Sequence, residues 1–269
     1  MKSYLLIAIL LLLTIPATAQ RVEPGSAKEL AAISERGKDL YSYDEAAWHS
    51  TDAVLLLKPS EGSFDSYIAQ KKGEKWIVVY GKLSAVRDTY IVVYEATQSS
   101  LPGQFTVQKF DKPKEDRGFF LQAALAIDLA KNDFGKASRP YNVAVLPAAD
   151  GQLYIYLVPA QTVSGIFPLG GDVRYLYSPD KKKIIEKRQL HKSVIEFQVP
   201  KDQIPQSSYH TAIMDDIPED SDVFHVLTRQ PKIPELIVTS QFVYQVKPDG
   251  TIIYLMKRED FLKIGKPSN

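Results

Sequence analysis

Residues 76–94 read WIVVYGKLSAVRDTYIVVY. Trp76–Tyr80 and Tyr90–Tyr94 are matching runs of β-branched and aromatic residues, and Gly81 and Arg87-Asp88 punctuate the stretch between them. Such runs fit a pleated, half-buried surface, and turn residues between them predict neighbouring antiparallel strands. Gln104–Phe110 continues the pattern as a third strand of a meander. No longer period links the runs, so they are similar strands rather than a duplication.

Working outward, Lys112–Asp116 is polar, contains a proline and reads as a loop or linker. Asp116 then stands at the start of the clearest helix in the chain. Phe119, Phe120, Ala123, Ala124, Ile127, Ala130 and Phe134 form one apolar stripe, and Gly135 is at the expected stop. Beyond it, Tyr154–Val158, Val173–Tyr177, Lys183–Lys187, Val194–Val199, Leu236–Thr239, Phe242–Val246 and Ile252–Leu255 all read as strands. Pro179-Asp180 and Pro248-Asp249-Gly250 mark turns. Upstream, Ser26 and Glu29 have capping-box spacing, and Leu30, Ile33, Leu40, Tyr41, Ala47 and Trp48 recur at helical intervals. Gly37 is expected to divide that segment, with a second start near Asp44-Glu45 and an end at Lys58-Pro59. The sum is an α+β fold: an N-terminal helical segment plus mainly antiparallel sheet, packed by one amphipathic helix over about residues 116–134. The expected organisation is a leader at 1–19, helix and meander at 20–111, helix and antiparallel strands at 112–257, and a tail at 258–269. Residues 20–257 form one domain or two.

The leader is read from Lys2, an apolar run from Tyr4 to Leu13, Pro16, and the small triplet Ala17-Thr18-Ala19. A basic start, a short apolar stretch and an A-x-A site predict a secretory signal peptide cleaved between Ala19 and Gln20. The run is too short to span a bilayer, which takes about 18 apolar residues. The expected location is a periplasm-like space or the cell exterior. Without Lys2 the chain carries 32 basic and 32 acidic residues, so it has no electrostatic pull toward nucleic acid or anionic lipid. Cysteine is absent, which excludes disulfides, catalytic thiolates, thiolate metal ligands and an N-terminal lipid anchor.

No phosphate loop, G-x-S-x-G elbow or H-E-x-x-H helix is present. Ser178-Pro179-Asp180-Lys181 matches a bare S-x-x-K pattern, without its companion signatures, and is better read as a hairpin turn. Ile166–Asp172, with Gly170-Gly171, reads as a tight loop before a strand, and tyrosines on a sheet face could stack on sugars or peptides or simply pack. His191, His210 and His225 fall in the C-terminal third, among Asp215, Asp216, Glu219, Asp220 and Asp222. Imidazoles and carboxylates are the donors zinc takes, so His191, His210, Asp222 and His225 are candidate ligands. The competing reading is edge-strand histidines beside a solvated acidic loop at 215–222, because no pair has i, i+2 strand or i, i+4 helix spacing.

The order Tyr209-His210-Thr211, Pro218-Glu219-Asp220-Ser221-Asp222, an apolar stretch, Leu236–Thr239 and a Pro-Asp-Gly hairpin partly resembles the JAB/MPN metalloprotease family. The resemblance implies that His210 and Asp222 are zinc ligands. It departs from the family at Ala212, where a second histidine is required, and at Glu219, where the family has serine, and no upstream glutamate acid is identifiable. It thus implies an inactive relative. The first functional expectation is a non-catalytic exported domain binding a protein, peptide or surface glycan, without cofactor. The alternatives are a metal-dependent hydrolase and a structural envelope component. Substoichiometric zinc and a silent His210→Ala substitution are expected.

Overall fold

The computed structural model describes residues 21–180, 182–198 and 205–264. The leader with its Ala17–Ala19 motif, Gln20, Lys181, positions 199–204 with the Val199 end of one expected strand, and positions 265–269 lie outside the described residues. The first helix, α1 (Ala27–Leu55), opens on the expected capping box: the Ser26 amide donates to Glu29 Oε2 at 2.9 Å, and the Glu29 amide to Ser26 Oγ at 3.3 Å. It runs unbroken through Gly37, contrary to the expected division. A Cβ at Gly37 would stand 2.5 Å from the Asp220 carbonyl and closer still to the Val223 side chain. The glycine is there for close helix approach, not for a break.

Strands β1 (Ser66–Lys72), β2 (Lys75–Leu83), β3 (Tyr90–Gln98) and β4 (Phe105–Asp116) form an antiparallel meander in that order. Along β3, Tyr90, Val92, Tyr94 and Ala96 are buried while Ile91, Val93 and Glu95 are partly exposed, the alternation of a sheet with one core face. Residues 112–116 are not a linker but the end of β4, so the boundary expected at 111/112 cuts a strand. The register jumps there: Tyr94 faces Lys109, whereas Val92 faces Lys114. The bulge accommodates Pro113 on an edge strand, where its missing N–H costs no ladder bond.

Asp116 joins sheet to helix. Its Oδ1 accepts from the amides of Gly118 (3.0 Å) and Leu121 (3.1 Å), satisfying first-turn donors of α2 (Phe119–Phe134). Phe120, Ala123, Ala124, Ile127 and Ala130 face inward, and Gly135 closes the helix at φ 77°. Next come β5 (Tyr141–Pro147), β6 (Leu153–Pro159), β7 (Ile166–Leu169), β8 (Val173–Tyr177), β9 (Ile184–Gln189) and β10 (Ile195–Gln198). A second antiparallel sheet has the order β5-β6-β8-β9, while β7 pairs with β10 in a separate ribbon. The stretch at 166–172 is therefore a strand followed by the glycine pair, not a loop alone.

The third sheet contains β11 (Ser208–Thr211), β12 (Glu235–Val238), β13 (Phe242–Val246) and β14 (Ile252–Lys257), in that order. β11 and β12 are parallel, linked through α3 (Asp220–Thr228), and the other pairings are antiparallel. α4 (Arg258–Ile264) turns most of the expected tail into helix. The fold is α+β with mostly antiparallel sheets.

The helix α1 serves both hydrophobic cores. Leu40, Tyr43, Ala46, Ala47 and Val54 pack with the first two sheets and α2, while Leu30 and Ile33 pack with α3 and the third sheet. Tyr43, Tyr80, Tyr90, Tyr94, Tyr156, Tyr175, Tyr177 and Tyr244 are almost wholly buried, so these tyrosines build core rather than a ligand-stacking face. No described helix is long and apolar enough to cross a membrane.

Candidate metal centre

The acidic run at 215–222 is not a solvated loop. Asp216, Glu219, Asp220 and Asp222 are buried, and each carboxylate is claimed by a specific partner. Ser240 donates to Asp216 at 2.6 Å, and Arg188 pairs with Glu219 at 2.6 Å and Asp215 at 2.8 Å. Asp220, fully buried, takes Arg36 from α1 at 2.9 Å, Arg174 from β8 at 2.5 Å and the Tyr156 hydroxyl from β6 at 2.8 Å. Those bonds tie α3 to both α1 and the second sheet. Burial would otherwise disfavour the charge.

Asp222 lies in the first turn of α3. Its Oδ2 accepts from the Glu219 amide at 2.7 Å, starting the helix and leaving Oδ1 free to point elsewhere. Oδ1 lies 3.0 Å from His191 Nε2 and 3.1 Å from His210 Nε2. His191 follows β9 and His210 sits on β11, so segments distant in sequence supply the two rings. Ligand atoms of His191, His210 and Asp222 all lie within 4.8 Å of one another. The glycine pair admits the His191 segment: a Cβ at Gly170 (φ 88°) would collide with the Ser193 carbonyl and stand 3.1 Å from His191 Cβ.

The other ring nitrogens also face carboxylates. His191 Nδ1 is 2.9 Å from Asp172 Oδ1, and His210 Nδ1 is 2.7 Å from Glu235 Oε1. Glu235 Oε2 is 2.6 Å from the fully buried Arg229 guanidinium, which donates to Ser208 Oγ and the Ile233 carbonyl, each at 2.8 Å. His225, one turn beyond Asp222 on α3, is outside the triad. Its Nε2 lies 3.7 Å from Glu235 Oε2, and its ring meets Phe197 edge-on.

Electrostatics follow this wiring. Burial opposes charge on His210, but Asp222 and Glu235 outweigh it and raise its pKa to about 9. Burial likewise opposes charge on His191, yet Asp172 and Asp222 lift it well above the usual imidazole range. Burial dominates at His225, pushing it down to about 4. Burial also raises Glu219 to about 8, with Arg188 opposing. Asp222 is held far below the usual carboxylate range because both imidazoles overcome its burial.

Of the three triad atoms that face one another, His210 Nε2 is buried without a hydrogen bond, its direction to Asp222 failing despite the short distance, and Asp172 Oδ2 and Glu235 Oε2 beside the triad are likewise buried without one. A cleft of about 140 Å³ opens onto His191 and His210, with Leu169, Ile195, Ile213 and Met214 on its walls. The sequence named His191, His210 and Asp222, and the structure brings them together. It missed Asp172 and Glu235: Asp172 stood beside the flagged glycine pair, whereas nothing local distinguished Glu235.

No family model matches the chain, and comparisons with curated proteins and with solved structures find no match. The JAB/MPN resemblance is thus one of residue order alone. At the position of that family's second histidine the chain has Ala212, which is buried, and the second imidazole at the triad comes from upstream, from His191.

Proposed function

We propose that the protein is an exported metal-dependent hydrolase whose centre is His191, His210 and Asp222. The observation that carries this reading is the convergence of two imidazole Nε2 atoms on one carboxylate oxygen, one of them unbonded and buried, beside a cleft. Four ligands at about 2.05 Å around zinc would stand roughly 3.3 Å apart; the two separations from Asp222 Oδ1 are 3.0 and 3.1 Å, and the two histidine ligand atoms lie within 4.8 Å of each other. Three protein ligands leave a position for water, which a bound divalent ion of the zinc type acidifies to a pKa of about 7. Charge is compatible with the reading without favouring it. One dication with neutral imidazoles carries the same charge as two imidazolium rings, so Asp172, Asp222 and Glu235 suit either state. Export rests on Lys2, the apolar run and Ala17-Thr18-Ala19, and N-terminal sequencing of the cell-produced protein should begin at or near Gln20.

The test is calorimetric titration of the metal-free protein with zinc, followed by hydrolysis assays on ester, amide and phosphoester substrates. One ion per chain, lost in Asp222→Ala, and activity dependent on loading are expected. That expectation departs from the substoichiometric zinc anticipated from spacing alone, because the three ligand atoms lie within 4.8 Å of one another. A second reading has its own support. Arg229 and two charged imidazoles balance Asp172, Asp222 and Glu235 without any ion, which suits a non-catalytic exported domain that binds a protein, peptide or surface glycan. Failure to bind zinc would favour it.

A further inference from the structure

We propose that Asp172 and Glu235 are paired positioning residues that fix both imidazoles for coordination through Nε2. The inference rests on the metal reading above. A neutral imidazole binds a metal through whichever nitrogen lacks the proton, and a carboxylate accepting from the other nitrogen decides which one that is. Each ring has such an acceptor on its Nδ1 side: Asp172 Oδ1 at 2.9 Å from His191, and Glu235 Oε1 at 2.7 Å from His210. Both carboxylates are nearly inaccessible to water, so water does not compete for those protons. The two rings are thereby presented alike, with Nε2 toward Asp222.

Each acceptor residue is anchored by its surroundings, Glu235 by an ion pair and Asp172 through its backbone. Glu235 starts β12, and its second oxygen, which makes no hydrogen bond, is ion-paired at 2.6 Å with Arg229, whose guanidinium lies 4.7 Å from the centre of the Phe197 ring. Asp172 lies between the glycine pair and β8, and its carbonyl accepts from the Leu190 amide at 3.0 Å, beside His191. A buried ion-pair network with no metal role would need charge balance only. Asp222 on the Nε2 side completes such a network too, so zinc-dependent readouts distinguish the two roles.

The test combines zinc affinity with the protonation pattern of the rings in the full mature chain. Competition against a chromophoric chelator should show zinc binding weakened about 10- to 100-fold in Asp172→Asn and in Glu235→Gln, the range for lost partners of ligating histidines. Long-range nitrogen–proton spectra of zinc-loaded wild type should show Nδ1–H on both His191 and His210, with Nε2 shifted by the ion. Glu235→Asp should recover part of the affinity. Wild type binding zinc through Nδ1 would overturn the proposal, as would folded variants that bind as tightly as wild type. Wild type that binds no zinc would instead remove the metal reading itself, and this inference with it. If a variant does not fold, the wild-type spectrum still decides.

Discussion

His210 displays the largest gap between a residue's type and its setting. From its sequence position it reads as an edge-strand residue whose loss is silent. In the structure it is buried between Asp222 and Glu235, so truncation leaves charged neighbours without a partner. His210→Ala should therefore lower unfolding free energy by about 3 kcal/mol, as for other broken buried pairs. Urea denaturation of the metal-free protein checks this, and an unchanged midpoint and slope would restore the earlier expectation. Asp44 offers a pH test away from the centre. Burial, then the neighbouring Glu45, raises its pKa to about 6, against a 3.4 Å bond from Asn142. An acid raised in the folded state favours folding when protonated. That contribution is complete below about pH 4 and lost as pH rises through 6. Asp44→Asn should thus be more stable than wild type by about 1–2 kcal/mol at pH 8, a figure reduced for partial exposure, and equal at pH 3.5. The same gap at both pH values would assign the effect to packing. The site was legible as a set of residue types but not as a place. No local spacing tells that His191, His210 and Asp222 meet, because a turn, a strand and a helix each supply one.

Elements were legible where periodicity was strong and local. β8 and β13 fall where alternation and turn residues put them, and α2 fills the stripe from Phe119 to Phe134. The misses have physical causes. β4 continues through polar residues because its partner strand, not its own composition, holds it. The acidic run is buried against its neighbours and leads into α3 because Arg36, Arg174 and Arg188 neutralise it from other elements. Gly37, read as a helix breaker, is a contact surface. Substituting alanine there ordinarily stabilises a helix by about 1 kcal/mol. Here Gly37→Ala should destabilise by about 2 kcal/mol, since the added methyl meets Val223 and the Asp220 carbonyl. A higher melting temperature would mean that α1 and α3 can separate at no cost. Ile127→Asp, on the buried face of α2, should cost several kcal/mol.

At the scale of the whole molecule, the centre joins parts that otherwise belong to different sheets. Asp172 and His191 flank strands of the second sheet, while His210 and Glu235 belong to the third. A bound ion should therefore clamp the two. At free zinc 100-fold above its dissociation constant, linkage adds about 2.7 kcal/mol, or roughly 5–10 °C in melting temperature for a chain of this size. Differential scanning calorimetry with and without zinc measures it, and no shift would argue against a native-state site. The shared helix has a further consequence, expressed in time. The Gly25 amide before α1 donates to the Tyr244 hydroxyl, a partner 219 residues later in the chain. At about 5–20 residues per second, synthesis needs roughly 10–40 s to deliver that partner after the helix has been made. Through that interval Leu30 and Ile33 have no core to enter. An apolar surface of α1 made early is thus among the last to be covered, and the growing chain has to keep it shielded while it waits.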